Sequence, residues 1–250
     1  MQRLRRLLVK PGARRAEGAF VAEGVRLAEE ALAAGAAIES VYWAPGAPIG
    51  LIESLLSTGA RGFELAPGVL ERVADTVTPQ PVMTVVGAAP VPLDALSNET
   101  MLVVCAEVRD PGNAGTVLRA ARAAGAGGVV SCAGSVDPYN PKVVRASAGA
   151  VFSLPVAVGG DVIEVMEQIG TWGLRRLAAV ADGGEDYAGT DLSSPFALLL
   201  GNEAHGLSDP AMAGVDARVT VPMAPGSESL NVAVAAGVIC FEAARQRRMR

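Results

Sequence analysis

Across residues 101–250, short apolar runs alternate with segments of helical period, and this alternation limits the fold more than any other feature. Residues 101–107, 128–131, 151–158, 177–181, 196–200 and 218–221 read as strands. Residues 113–124, 141–150, 161–170 and the stretch from Ser229 onward read as helices. Strands apolar at nearly every position need cover on both faces, and helices between them supply it. The pattern predicts a mainly parallel sheet flanked by helices. Residues 1–87 repeat it on a smaller scale. Strands are expected at 20–23, 38–43, 62–65 and 82–86, and helices at 25–34, 49–57 and 67–74, again around a mainly parallel sheet. Residues 88–100 carry Pro90, Pro92, Asp94, Ser97 and Asn98 with little periodicity and read as a linker. Thr78-Pro79-Gln80-Pro81 reads as a turn. The expected organisation is a small α/β domain at 1–87, a linker at 88–100 and a larger α/β domain at 101–250.

Half of the 250 residues are apolar, enough for one large or two modest cores. No apolar run reaches the roughly 18 residues of a membrane span. The N-terminal arginines are not followed by an apolar segment of the secretory kind. Cys105, Cys132 and Cys240 are far apart and form no CxxC pair, which suits buried thiols in a reducing cytoplasm. The net charge is −5, yet Arg3, Arg5, Arg6, Lys10, Arg14 and Arg15 crowd the start, and Arg245, Arg247, Arg248 and Arg250 the end. Charge alone leaves these ends equally readable as solvated termini.

Three strand-to-loop junctions carry the candidate chemistry. In the first, a strand runs into Arg109-Asp110-Pro111-Gly112-Asn113. Asn113 is a candidate N-cap, and Arg119 and Arg122, three apart, share a helix face. Alone, this is also an ordinary capped surface helix. In the second, the apolar strand ending at Leu200 enters Gly201-Asn202-Glu203-Ala204-His205-Gly206. Ligands of open parallel sheets bind beyond strand carboxyl ends, Gly201 permits close backbone approach, and Glu203 is the first ionisable group after the strand. His205, the only histidine, reads as an exposed loop residue. In the third, Val221-Pro222-Met223 leads through Ala224-Pro225-Gly226-Ser227-Glu228 to Ser229-Leu230-Asn231, with Ser229 the candidate cap of the terminal helix. A strand–loop–helix junction offers free N–H groups to a polar or anionic ligand. There is no GxGxxG after the strand 101–107, no GxxxxGK[ST] and no GxSxG. A single histidine cannot form a histidine pair for a metal.

These three stretches, in order and spacing, resemble the motifs of the SpoU (TrmH-type) RNA ribose methyltransferases of the SPOUT class. Tyr139-Asn140-Pro141 through Ala150 resembles the segment between the family's first two motifs. The stretch Gly18–Gly24 resembles the ribosomal-protein-like substrate-binding domain often fused to such enzymes. The resemblance implies a trefoil-knotted α/β catalytic domain, S-adenosylmethionine as cofactor, an RNA substrate, a homodimer with its site near the subunit interface, and no metal. It places the cofactor against Leu200, Gly201, Val221, Met223 and Leu230, and matches Asn113, Arg119, Glu203, Ser229 and Asn231 to the family's functional polar positions. Alanine stands at Ala233, where serine or threonine is common.

The implied chemistry needs no acid for the leaving group. It needs alignment of a ribose 2′-hydroxyl and help with its proton. Because arginine stays protonated, Arg119 is expected to stabilise developing charge while touching the RNA phosphate, with the base left open. Ser229 is expected to position the phosphate, Asn113 and Asn231 to hold the loops, and Glu203 to fix Arg119 or a loop amide. RNA delivery falls to the N-terminal domain and the cations Arg3, Arg5, Arg6, Arg14, Arg15, Arg122 and Arg145. Ribosomal RNA is slightly preferred over transfer RNA. The alternatives are a non-catalytic RNA-binding protein on the same scaffold, base methylation by another SPOUT member, and a methylase conferring antibiotic resistance.

Overall fold

The structure, a computed structural model, describes residues 1–74 and 79–249, so Thr78 of the expected turn and Arg250 lie outside the described residues. In chain order the elements are α1 (Gln2–Val9), α2 (Pro11–Glu17), β1 (Ala19–Glu23), α3 (Val25–Ala33), β2 (Ile38–Trp43), α4 (Ile49–Ser57), β3 (Arg61–Glu64), β4 (Val82–Gly87), β5 (Met101–Cys105) and α5 (Pro111–Ala124). There follow β6 (Gly128–Ser131), α6 (Pro141–Ala146), β7 (Val156–Val158), α7 (Val162–Thr171), β8 (Arg175–Ala179), β9 (Glu185–Asp186), β10 (Phe196–Leu200), α8 (Asp209–Ala213), β11 (Ala217–Thr220) and α9 (Val232–Arg248). They form two compact units, Met1–Ala89 with Tyr139–Ser153, and Pro90–Pro138 with Leu154–Arg250.

The first unit holds a four-stranded sheet of order β1-β4-β2-β3. The expected mainly parallel sheet is corrected here: β4 runs antiparallel to both neighbours, and only β2 and β3 are parallel. The chain leaves a one-strand gap between β1 and β2, and β4 returns to fill it from the opposite end, a split βαβ arrangement. Residues 67–73 form turns instead of the expected helix. Two helices went unforeseen in the basic N-terminal stretch. Leu4, Leu7 and Leu8 of α1 join Val21, Tyr42 and Met83 in one core cluster. α2 starts at Pro11, whose missing N–H costs nothing in a first turn.

Arg14 is therefore not a surface cation. It is 3% exposed, and its Nη1 donates to the carbonyls of Leu7 and Leu8 at 2.8 and 3.3 Å. These belong to the last turn of α1, where carbonyls lack helical partners. Arg3 and Arg6 both pair with Glu17, and Arg3 reaches Glu39 at 2.7 Å.

The segment Tyr139–Ser153 completes this unit's core, although it lies inside the range 101–250 expected as one domain. The Phe20 ring lies 5.0 Å from that of Tyr139 and 5.9 Å from that of Phe152, and Val144 and Val151 pack into the same cluster. Apolar burial, which ignores sequence distance, decides where the segment belongs. The expected helix 141–150 is shorter, and residues 150–152 form a 3-10 turn, leaving only Val156–Val158 of the expected strand 151–158.

The second unit is built on seven parallel strands in the order β7-β6-β5-β10-β8-β11-β9. β10 sits at the centre, with Leu198 in register with Val103 of β5 and Leu177 of β8. All five of its residues are buried, which explains its unbroken apolar run. Val165, Met166 and Ile169 of α7 cover Leu102, Val104, Ala197 and Leu199. α5 packs on α9, where a Cβ on Gly237 would lie 3.8 Å from that of Ala120. The expected linker is partly integral to this unit: Val91 bridges to Ala157 at the sheet edge, and Leu96 is buried in the core. At the chain end, Arg247 Nη2 donates to Thr100 O at 2.8 Å, and its guanidinium lies over the Phe196 ring. Arg247 thus ties down the end of α9, whereas Arg245 pairs with Glu242 within the helix itself.

Candidate active site

Three loops leave the carboxyl ends of parallel strands and meet over a cavity of about 540 Å³. The first follows β5. Glu107 there takes a left-handed backbone (φ 63°), uncommon for a non-glycine residue. Asp110 then caps α5, its Oδ1 accepting the Asn113 N–H at 2.8 Å. Asn113 was the expected cap. With that task taken by Asp110, its side chain is free to reach the other two loops.

The second loop follows β10 and is folded tightly on itself. A Cβ on Gly201 would lie 2.2 Å from the Gly206 carbonyl carbon, so only glycine fits. Glu203 Oε1 accepts from Asn113 Nδ2 and from the Asp110 N–H, both at 3.1 Å, and Oε2 accepts from the Arg109 N–H at 3.3 Å. Of the two expected tasks for Glu203, the loop amide is the one observed. Burial disfavours the charged carboxylate, but the Asn113 side chain and the N–H groups outweigh it and hold the acid below its ordinary value.

The third loop follows β11. Asn231, not Ser229, caps α9, its Oδ1 accepting from the N–H groups of Ala233 and Val234 at 2.9 and 3.3 Å. Its Nδ2 donates to Asn113 Oδ1 at 2.8 Å. Glu203, Asn113 and Asn231 thus form one hydrogen-bonded line joining residues 90 and 118 positions apart.

Of the expected site residues, Asn113, Glu203, Ser229, Asn231, Gly201, Val221, Met223 and Leu230 line this single cavity. Leu200 is fully buried in β10 and is not among the lining residues. Arg119 lies outside the lining, exposed on α5 and without a hydrogen bond or ion pair among the described residues. The cavity also draws on Asn202 and His205 of the second loop, and on residues not singled out from sequence: Ala179 at the end of β8, Val180 and Ala181 after it, Met212 and Ile239. The carboxyl-end rule points to the segment after β8. Ile239, buried in α9, carries no sequence mark of a site.

Asn202 knits the loops further, its Nδ2 donating to Glu107 O at 3.2 Å. Burial pushes the Cys105, Cys132 and Cys240 thiols up to about 12, so all three stay protonated. Among the described residues, no cluster of His, Cys, Asp and Glu could hold a metal ion, and no helix is long and apolar enough to cross a membrane.

Residues 100–241, which contain all three loops, match the model of the SpoU rRNA methylase family. The chain belongs to this family. Residues 1–84 match the MRM3-like substrate-binding domain. A curated relative, the 23S rRNA (guanosine(2553)-2'-O)-methyltransferase RlmP of Bacillus subtilis, is 31% identical over 222 residues, 89% of this chain and 87% of that protein. The SpoU methyltransferase AviRb of Streptomyces viridochromogenes, solved with AdoMet, superposes with a TM-score of 0.89 at 30% identity, covering 100% of this chain and 98% of its own. An AdoMet-bound rRNA methyltransferase of Sinorhizobium meliloti gives a TM-score of 0.84 at 31% identity, over 98% of this chain and 94% of that one. The fold is thus the parallel α/β architecture of the SPOUT class.

The cavity suits the family's cofactor. Its volume lies within the roughly 300–1,000 Å³ of small-molecule sites. Apolar Val221, Met223, Leu230 and Ile239 share its wall with polar Asn113, Ser229 and Asn231, as a ligand with a thioether-like chain and polar ends requires.

Proposed function

We propose that this SpoU-family chain methylates a ribose 2′-hydroxyl of RNA, with ribosomal RNA preferred. S-adenosylmethionine, when bound, supplies an electrophilic methyl group on a sulfonium. Gly201, Val221, Met223 and Leu230 are the residues assigned to hold it. Asn113, Glu203 and Asn231 are positioning residues: their hydrogen-bonded line keeps three loops in one geometry, and in-line displacement tolerates little misplacement. Ser229, exposed at the rim, is assigned to the RNA phosphate. The observation that carries this reading is the convergence of the three motif loops through Glu203, Asn113 and Asn231.

Arg119 requires a second copy of the chain in this reading. It does not line the cavity beside its own Asn113, and α9, which packs on α5, exposes Val234 and Phe241 at 50% and 49%. A homodimer formed across α5 and α9 covers these apolar residues and brings each Arg119 to the other copy's cavity, where its guanidinium stabilises charge developing on the reacting oxygen. The N-terminal unit is assigned to RNA, with exposed Arg5 and Arg15 as its contacts alongside Arg122. Arg14 is excluded by burial, and Arg3, Arg6 and Arg145 are partly neutralised by Glu17, Glu39 and Glu23. The RNA substrate and the three free, buried cysteines support a cytoplasmic location.

Calorimetry with S-adenosylmethionine, followed by mapping of 2′-O-methyl groups in cellular RNA with and without the gene, tests the proposal. A chain that binds the cofactor and whose loss removes one mapped methyl group satisfies it. Absence of cofactor binding refutes it.

A further inference from the structure

The sheet of the first unit ends on β3, whose outer side pairs with no strand among the described residues. All four of its residues are exposed. The strand's alternation puts Gly62 and Glu64 on one face, and Arg61, Phe63 and the following Leu65 on the other. The Gly62 face is closed: a Cβ there would lie 2.7 Å from Leu56 Cδ2 and 3.1 Å from the Trp43 ring. The opposite face stays open at Phe63, which is 41% exposed.

One exposed ring is ordinary by itself. This one is braced from behind and bordered by cations. The Phe63 ring lies 4.8 Å from that of buried Tyr42, with the planes 13° apart. The stack covers one side of the ring, fixes its plane and leaves the other side for a further planar group. Arg61, on the same face, makes no hydrogen bond or ion pair among the described residues. Tyr42 and Leu65 belong to the cluster that holds Leu4 of α1 and Leu70 of the turn 67–73. Exposed Arg5 of α1 donates from Nη2 to the carbonyl of Arg72 on that turn at 3.2 Å. Arg5, Arg61 and Arg72 therefore border the same cluster as the aromatic stack.

We propose that this edge is a stacking platform: an unpaired base of the RNA lies on Phe63, and Arg5, Arg61 and Arg72 hold the adjoining phosphates. The inference rests on the RNA reading above and adds that the segment recognised by the first unit is single-stranded. In a duplex the base faces are covered by neighbouring bases, so only a splayed nucleotide can meet the ring. Guanidinium groups suit the phosphates, and a base–aromatic stack tolerates any sequence. A bare strand edge also invites a second strand. Pairing β3 with its counterpart in a second copy would bring two sets of these arginines together, and that like-charge approach favours the polyanion as occupant.

The test titrates the intact protein with a single-stranded RNA of about 12 nucleotides carrying 2-aminopurine, and with the same strand in a duplex. Binding of the single strand is expected to quench the 2-aminopurine fluorescence. Phe63→Leu should weaken that binding by about 5- to 150-fold, the range of one base–aromatic stack, and abolish the quench. Duplex binding, cofactor affinity and melting temperature should hold, and Phe63→Tyr should keep both the affinity and the quench. Arg61→Gln should lower the slope of log affinity against log salt by about one and leave the quench in place. Unchanged single-strand binding in Phe63→Leu overturns the inference, as does an equal loss on the duplex. So does a wild-type dimer that Phe63→Leu converts to monomer, which would assign the edge to a second copy. Wild-type protein that quenches the probe through Phe63 yet methylates no ribose would refute the catalytic reading and leave the platform standing.

Discussion

The N-terminal unit and the strand-end loops of the second unit each contain a set of polar residues that stand out from sequence, and the two sets meet opposite fates. In the first unit several cations of the opening stretch find partners close to home: Arg14 caps α1 from seven residues away, and Arg3 and Arg6 share Glu17. In the second unit Glu203, Asn113 and Asn231 find each other across 90 and 118 residues. A polar group satisfied by its sequence neighbours is serving the local fold. One held by distant loops, beside a cavity, is available to a ligand. Separation alone does not mark the site, since Arg145 pairs with Glu23 across 122 residues and Arg247 with Thr100 across 147 without lining the cavity; it is the distant partner beside the cavity that does.

Cutting the long-range line should have the largest effect. Glu203→Ala or Asn113→Ala is expected to reduce methyl transfer by at least about 100-fold, the cost of a small misplacement of reacting groups, with little change in melting temperature. A stability loss without an activity loss would put these residues in the same class as Arg14. Arg119→Ala should also reduce kcat severely while leaving cofactor affinity intact. Mixing it with Asn113→Ala should restore part of the activity, because one hybrid site then keeps both groups. Absence of such complementation would place Arg119 outside the partner's site.

On the scaffold side, Arg14→Met should destabilise the protein by about 2 kcal/mol, since it leaves two α1 carbonyls without their charged donor, and should leave the salt dependence of RNA binding unchanged. Arg15→Ala should do the reverse, reducing the slope of log affinity against log salt by about one. The smallest effect concerns pH. Because Glu203 is held below the ordinary glutamate value, its contribution is complete above that value and is lost as pH falls through its folded pKa. Cofactor binding should therefore be flat down to the ordinary glutamate range and weaken below it. Glu203→Gln should flatten that acid limb, and a limb unchanged in the variant would assign it elsewhere.

The parallel core was readable because its signal is local: Phe196–Leu200 is apolar at every position, and α5 lies between Pro111 and Gly125. The caps were only half readable. Asp110 and Asn231 displaced Asn113 and Ser229 as caps, since several neighbouring side chains can satisfy the same orphan N–H groups and tertiary position chooses among them. Helices α1 and α2 were hidden by their arginines, whose number suggested a solvated end while Leu4, Leu7 and Leu8 supplied the buried face.

By themselves, the residues in order determined the alternating α/β pattern, the three loops and the chemical character of their side chains, because periodicity and motif spacing are properties of neighbouring positions. Only the tertiary structure decided that β4 returns antiparallel, that Tyr139–Ser153 completes the first core, and that Asn113 turns away from its own helix to join Glu203 with Asn231. Those outcomes depend on which apolar faces and unpaired polar groups meet once the chain is compact, and that meeting has no counterpart among adjacent residues.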